Sequence, residues 1–274
     1  MDRAIAGDRG GGPGLTLGLA ALVLGVMVLG SARAALGQPA DRMRRETDHA
    51  VLEYRASALT EAEAEAFARL VERGVVDVDA LVGPSLPASV SRSERVRVIV
   101  SARVGMSRTH GRTVLLPLER VKNHTAPYLH EITHALLPSS CDCTWLAEGL
   151  ASYIESWVAE HRGGYDAHVF SEAGDAGIHA DAKRWLKTQA GQAVLAWVGR
   201  DGQPPRLEED RDGVARPFYV LSHSFTKYIA ESASLGKLVK VVMAEDDAAA
   251  MIAVTGRSDA QWKREWLQSI GAAG

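Results

Sequence analysis

Five residues, His130-Glu131-Ile132-Thr133-His134, constrain this chain more than any other feature. On an α-helix, side chains four positions apart lie on one face, so the two imidazoles can point at a common metal ion. Glu131 sits one step round the helix, within reach of a water at that centre. The flanks suit a helix: Pro127 is placed to open it and Pro138 to close it, while Ile132, Ala135 and Leu136 are available for a core.

Eleven residues after His134 begins a second segment, Trp145-Leu-Ala-Glu-Gly-Leu-Ala-Ser-Tyr-Ile-Glu155, which also reads as a helix. It offers Glu148 as a third ligand beside His130 and His134. Two nitrogens and one carboxylate oxygen suit Zn2+, which in catalytic sites takes three protein ligands and keeps one position open. The set carries one negative charge, so a bound Zn2+ keeps net positive charge and lowers the pKa of its water toward ~7. Glu131 is then the expected general base and acid, taking a proton from that water and passing it to a leaving amine.

The two segments together resemble the gluzincin zinc metallopeptidases, most closely the small bacterial peptidase-MA-like proteins, and more distantly the aminopeptidase and leukotriene-hydrolase family. There a W-L-x-E-G-x-A-x-Y helix follows the H-E-x-x-H helix and supplies the third ligand, here Glu148. The resemblance covers about residues 114–270 and implies a zincin-like catalytic domain, one zinc ion and a peptide or protein substrate. It makes Glu155 the carboxylate behind one ligand histidine, with an exposed helix carboxylate as the competing reading. It also aligns Arg216-Pro-Phe-Tyr219-Val-Leu-Ser222-His223 with a Y-x-x-G helix whose tyrosine hydrogen-bonds the oxyanion. Tyr219 takes that place, Ser222 stands where glycine is usual, and His223 is the competing donor; a buried core tyrosine is the alternative for Tyr219. The G-x-M-E-N segment that binds a free peptide N-terminus in the aminopeptidases is missing, so aminopeptidase specificity has no support. A zinc-retaining binding module of the cell envelope is the second functional reading, and the intact Glu131 argues against it.

The rest of the chain bounds these readings. With 46% hydrophobic and 24% charged residues among 274, it has the composition of a globular protein able to bury a substantial core. No Lys/Arg stripe interleaved with aromatics runs along it, so no nucleic-acid partner is expected. Residues 1–37 read as a signal peptide or a membrane anchor. Leu15 to Leu29 is apolar apart from Thr16, small residues around Ala32-Arg33-Ala34 fit a cleavage site, and membrane association would run through residues 15–30. The expected location is therefore periplasmic or extracellular, or membrane-anchored where the signal stays. Cys141 and Cys143 are the only cysteines; a local disulfide, packing thiols and a metal or redox role are all open.

The expected fold class is α+β: residues 38–120 hold a helix and a small sheet, residues 121–274 a helical catalytic region, and 38–274 form one unit. The first helix is expected over Leu59 to Glu72, with Thr60 and Glu63 as a capping box and Gly74 ending it. Residues 38–51 read as a polar linker. Arg95 to Val100 and Thr113 to Leu118 read as strands, with Pro117 favouring the sheet edge for the second. An exposed edge strand beside a catalytic helix can hold an extended peptide by main-chain pairing. Residues 161–180, rich in glycine, read as an insertion, and the six other histidines as surface or loop residues.

Overall fold

The computed structural model describes residues 41–139, 143–165, 174–200, 202 and 213–272. The expected signal or anchor and Cys141 lie outside these residues. Among the described residues, no helix is long and apolar enough to cross a membrane.

The fold is α+β, a small N-terminal sheet followed by helices. The chain opens with a hairpin, β1 (Arg42–Glu46) and β2 (Ala50–Arg55), where sequence reading placed a linker. Residues 50–54 are apolar apart from Glu53, as a mostly buried strand requires, but β1 is too charged to show in a hydropathy pattern. The turn is held from outside the hairpin: Glu72 accepts from Thr47 Oγ1 at 2.5 Å and from the His49 N–H at 2.9 Å. Helix α1 (Glu61–Val82) then crosses to β3 (Val96–Ser101), which lies parallel to β2. Strands β4 (Arg108–His110) and β5 (Thr113–Pro117) complete a sheet of order β1-β2-β3-β5-β4, with parallel pairs at the centre and an antiparallel pair at each edge. Arg97 and Glu53, on neighbouring strands, form a two-pronged pair at 2.7 Å for each bond.

Two expectations are corrected. The strand with Pro117 is internal, between β3 and β4, and β4 is the edge. Proline is tolerated because it closes the strand and caps helix α2 (Leu118–Lys122), where no further ladder donor is needed. The second concerns α1, whose Thr60–Glu63 capping box forms as expected. The helix runs straight through Gly74, because Val75, Val78 and Val82 continue its buried face. Packing at Gly74 is close: a Cβ there would stand 3.0 Å from Leu129 Cδ2 and 3.3 Å from Ile132 Cδ1. Both belong to helix α3 (Tyr128–Leu136), the helix that carries His130 to His134.

Helix α4 (Thr144–Arg162) packs on α3, and α7 (Ala215–Ser232) packs on α4. Around them lie α5 (Gly174–Trp185), α6 (Gln189–Leu195), α8 (Leu235–Val242), α9 (Asp247–Thr255) and α10 (Asp259–Ser269). Part of the expected insertion is thus helix α5, and α9 was not anticipated because its mostly alanine and aliphatic run shows little helical periodicity. One hydrophobic core extends from Ala50 to Trp266 through sheet and helices. Trp145, Trp262 and Trp266 are fully buried in it, and Trp145 stacks on Phe225 at 4.8 Å.

The crossing of α4 and α7 is the tightest contact near the centre of the fold. A Cβ on Gly149 would lie 2.6 Å from the Ser222 carbonyl oxygen and 2.2 Å from Thr226 Oγ1. Backbone cannot yield as a side-chain tip can, so Gly149→Ala forces the helices apart. The variant is expected to lose about 1–3 kcal/mol of stability despite alanine's better helix propensity. Urea unfolding measures this, and a variant as stable as the parent would contradict the crossing.

Candidate metal centre

Helix α3 is short and almost wholly buried, with His134 as its partly exposed member. Pro127 precedes its first residue, as the sequence suggested, and Pro138 follows its end. Helix α4 begins at Thr144 and brings Glu148 opposite the two imidazoles after one turn.

The donor atoms converge. His130 Nε2 lies 3.1 Å from His134 Nε2 and 3.0 Å from Glu148 Oε2, and His134 Nε2 lies 3.5 Å from Glu148 Oε2. Three ligands at about 2.0–2.2 Å from a tetrahedral centre stand about 3.3–3.5 Å apart. The observed separations come within a few tenths of an ångström of that spacing, so the residues fit a zinc-sized cation. A proton on one imidazole bridges only some of these contacts, whereas a central cation meets all three. Among the described residues, this is the one His/Cys/Asp/Glu group close enough to hold a metal. His130 is 7% exposed, against 22% for His134 and 21% for Glu148, so the centre opens to solvent on the His134–Glu148 side.

Charge reinforces the geometry. Burial opposes ionisation of Glu148, but His134 and His130 outweigh it and hold the carboxyl well below the usual carboxylate range. Burial likewise disfavours charge on His134, yet Glu148 and, more weakly, Glu131 raise its pKa above the ordinary histidine value. The site therefore attracts positive charge, and a proton competes with a metal for it.

Three further site residues are placed as follows. Tyr219, on α7, has its ring centroid 6.1 Å from that of His130, at 67°. His223, one turn later, is 2% exposed and its Nε2 lies 2.9 Å from Asp175 Oδ1. Of the two oxyanion candidates, Tyr219 thus stands beside His130, while His223 is engaged with α5. Glu155 is 1% exposed, which removes the exposed-carboxylate reading. Ser152 Oγ, one turn past Glu148 on α4, lies 3.5 Å from His130 Nδ1. Sequence reading missed Ser152, although its spacing from Glu148 placed it on the same face.

Glu131 is 6% exposed, and its Oε2 accepts a 2.7 Å hydrogen bond from Thr109 Oγ1 on β4. No local pattern pointed to Thr109, because only the sheet's docking on α3 brings it there. Cys143, which precedes α4, is disulfide-bonded and buried, so it offers no thiol to the metal.

No protein-family model matches this chain, and neither a curated protein nor a solved structure matches it. What the centre does is therefore carried by its own geometry.

Behind the site lies a second charged group. Asp175 accepts from His223 and Lys227, and its own N–H donates to Glu160 at 2.8 Å. Burial resists charge on Asp175, but the two donors hold its carboxyl below the usual range. Burial lowers His223 despite Asp175, so the imidazole stays neutral and donates through Nε2. His179 is also lowered by burial; it is half-buried on α5 with Nδ1 2.8 Å from Ser224 Oγ, not the surface residue expected.

Two pH effects follow. Because the His134 pKa is raised, zinc binding at neutral pH should displace a proton, and affinity should fall as pH drops through a range that starts above ~6.5. Calorimetric titration in buffers of different ionisation enthalpy reads the released proton, and none at pH 7 would contradict the charge balance described. His223 acts in the opposite sense on folding. An unfolded histidine protonates near ~6.5 while His223 stays neutral, so the unfolded chain binds more protons and stability is lost as pH falls below that value. Metal-free His223→Gln should therefore lose less stability between pH 7 and 5 than the parent, measured by urea midpoint; equal slopes would count against it.

Proposed function

We propose that this chain is an exported zinc-dependent peptidase of the gluzincin type, hydrolysing peptide or protein substrates. The convergence of His130 Nε2, His134 Nε2 and Glu148 Oε2 to within 3.5 Å is the observation that carries the reading. Those three residues would hold the metal. A zinc ion bound there supplies Lewis acidity, polarising the scissile carbonyl and acidifying water.

The chain's own groups account for the remaining demands of amide hydrolysis. Glu131 takes the proton from the attacking water at a carboxylate oxygen and returns it to the departing amine nitrogen. Its low exposure keeps bulk water from competing for that proton. The Tyr219 hydroxyl donates to the carbonyl oxygen as negative charge builds there, which its place beside His130 supports. Ser152 steadies the His130 ring at Nδ1. Substrate lies along β4, an edge strand that carries Thr109 against Glu131 and offers main-chain groups to an extended peptide. The expected signal or anchor at residues 1–37 accounts for export.

Elemental analysis of the purified protein, paired with hydrolysis of an unfolded protein substrate before and after chelation, tests the reading. One zinc ion per chain, loss of hydrolysis on chelation and its return with added zinc are expected. Glu131→Gln should keep zinc and lose turnover by roughly 10²–10⁴-fold, the range for removing a general base. Zinc retained without hydrolysis in either protein would replace this reading with the binding module.

A further inference from the structure

The carboxylate of Glu131 is held from outside its own helix. Thr109 is the middle residue of β4, and its backbone pairs with Val114 of β5. Its Oγ1 stands 2.7 Å from Glu131 Oε2 and 3.0 Å from the Glu131 carbonyl oxygen. A hydroxyl has one proton to give. The carbonyl lies inside α3, where the helix ladder supplies its donor. An ionised carboxylate is also the stronger acceptor. The proton therefore goes to Oε2.

We infer that Thr109 is the positioning residue of the general base. Its hydroxyl ties down Oε2 and leaves Oε1 as the oxygen that accepts the proton from water. A free glutamate side chain samples several rotamers, and only some aim an oxygen at the metal centre. With one oxygen anchored to a strand of the sheet, the carboxylate keeps a single orientation without help from solvent, which scarcely reaches it. The anchor sits on β4, an edge strand among the described residues, so a peptide docked along it bears on the residue that aims the base. This inference rests on the reading of Glu131 as that base.

The test compares zinc-loaded Thr109→Val and Thr109→Ser with the parent. Valine keeps the β-branched shape that suits a strand and removes the hydroxyl; serine keeps the hydroxyl. Thr109→Val should lower kcat about 10–100-fold, the scale of a charge-assisted hydrogen bond. KM and zinc content should stay at parental values, the unfolding midpoint should fall only as far as one lost buried hydrogen bond requires, and Thr109→Ser should restore most of kcat. Parental kcat in Thr109→Val, or equal loss in both variants, overturns the assignment.

A second readout is independent of turnover. The infrared difference between the parent and Glu131→Gln isolates the Glu131 carboxylate band. That band should shift in Thr109→Val and return in Thr109→Ser, and a band indifferent to both substitutions overturns the assignment. A zinc-loaded parent that hydrolyses nothing would instead count against the peptidase reading, with the infrared comparison still deciding whether Thr109 holds Glu131.

Discussion

Two imidazoles and a carboxylate brought within 3.5 Å of one another make a costly arrangement unless something positive lies between them. Around this constraint the centre of the fold is built. Helices α3 and α4 must meet at one level, so that the second turn of α4 faces the middle of α3. The core supplies that alignment. Leu129 and Ile132 lock α3 onto α1 across Gly74, and Trp145 and Leu146 anchor the start of α4. The mutual effects of the three groups, Glu148 held down and His134 held up, are the electrostatic record of the same geometry.

Packing at two glycines carries the arrangement outward. Gly74 lets α3 lie close on α1, and Gly149, next to Glu148, lets α7 lie close on α4. The second approach is what sets Tyr219 beside His130. Ser222 meets Gly149 through its backbone carbonyl, which a Cβ at position 149 would strike. Asp175 then clamps α5 to the far side of α7 through His223 and Lys227. His223 thus bears on the orientation of the helix that presents Tyr219, the residue with which it competed in sequence as oxyanion donor.

Much of this was legible in the residue order. The helix over 128–136, the helix over 144–162, the capping box at Thr60 and the strands near residues 95 and 113 follow from patterns contained in a few consecutive residues. Spacing also selected His130, His134 and Glu148, because ligation demands particular residue types at particular helical intervals. Less accessible were β1, whose charged residues hide its pairing, and α9, whose run shows little helical periodicity. Pro117 misled because proline at the end of an internal strand and proline within an edge strand satisfy the same missing donor.

The sequence by itself determined which atoms can meet a metal, since helical periodicity puts His130 and His134 on one face and a short connection brings α4 alongside. It also determined the α+β class, through strands confined to the first part of the chain. Tertiary structure alone decided that Thr109 reaches Glu131, that Ser152 lies behind His130, that Tyr219 and His223 face different partners, and that Gly74 joins helices where it was expected to end one. Those facts depend on contacts between segments far apart in the chain. Their distances are set by how closely the backbones approach, which no local period encodes.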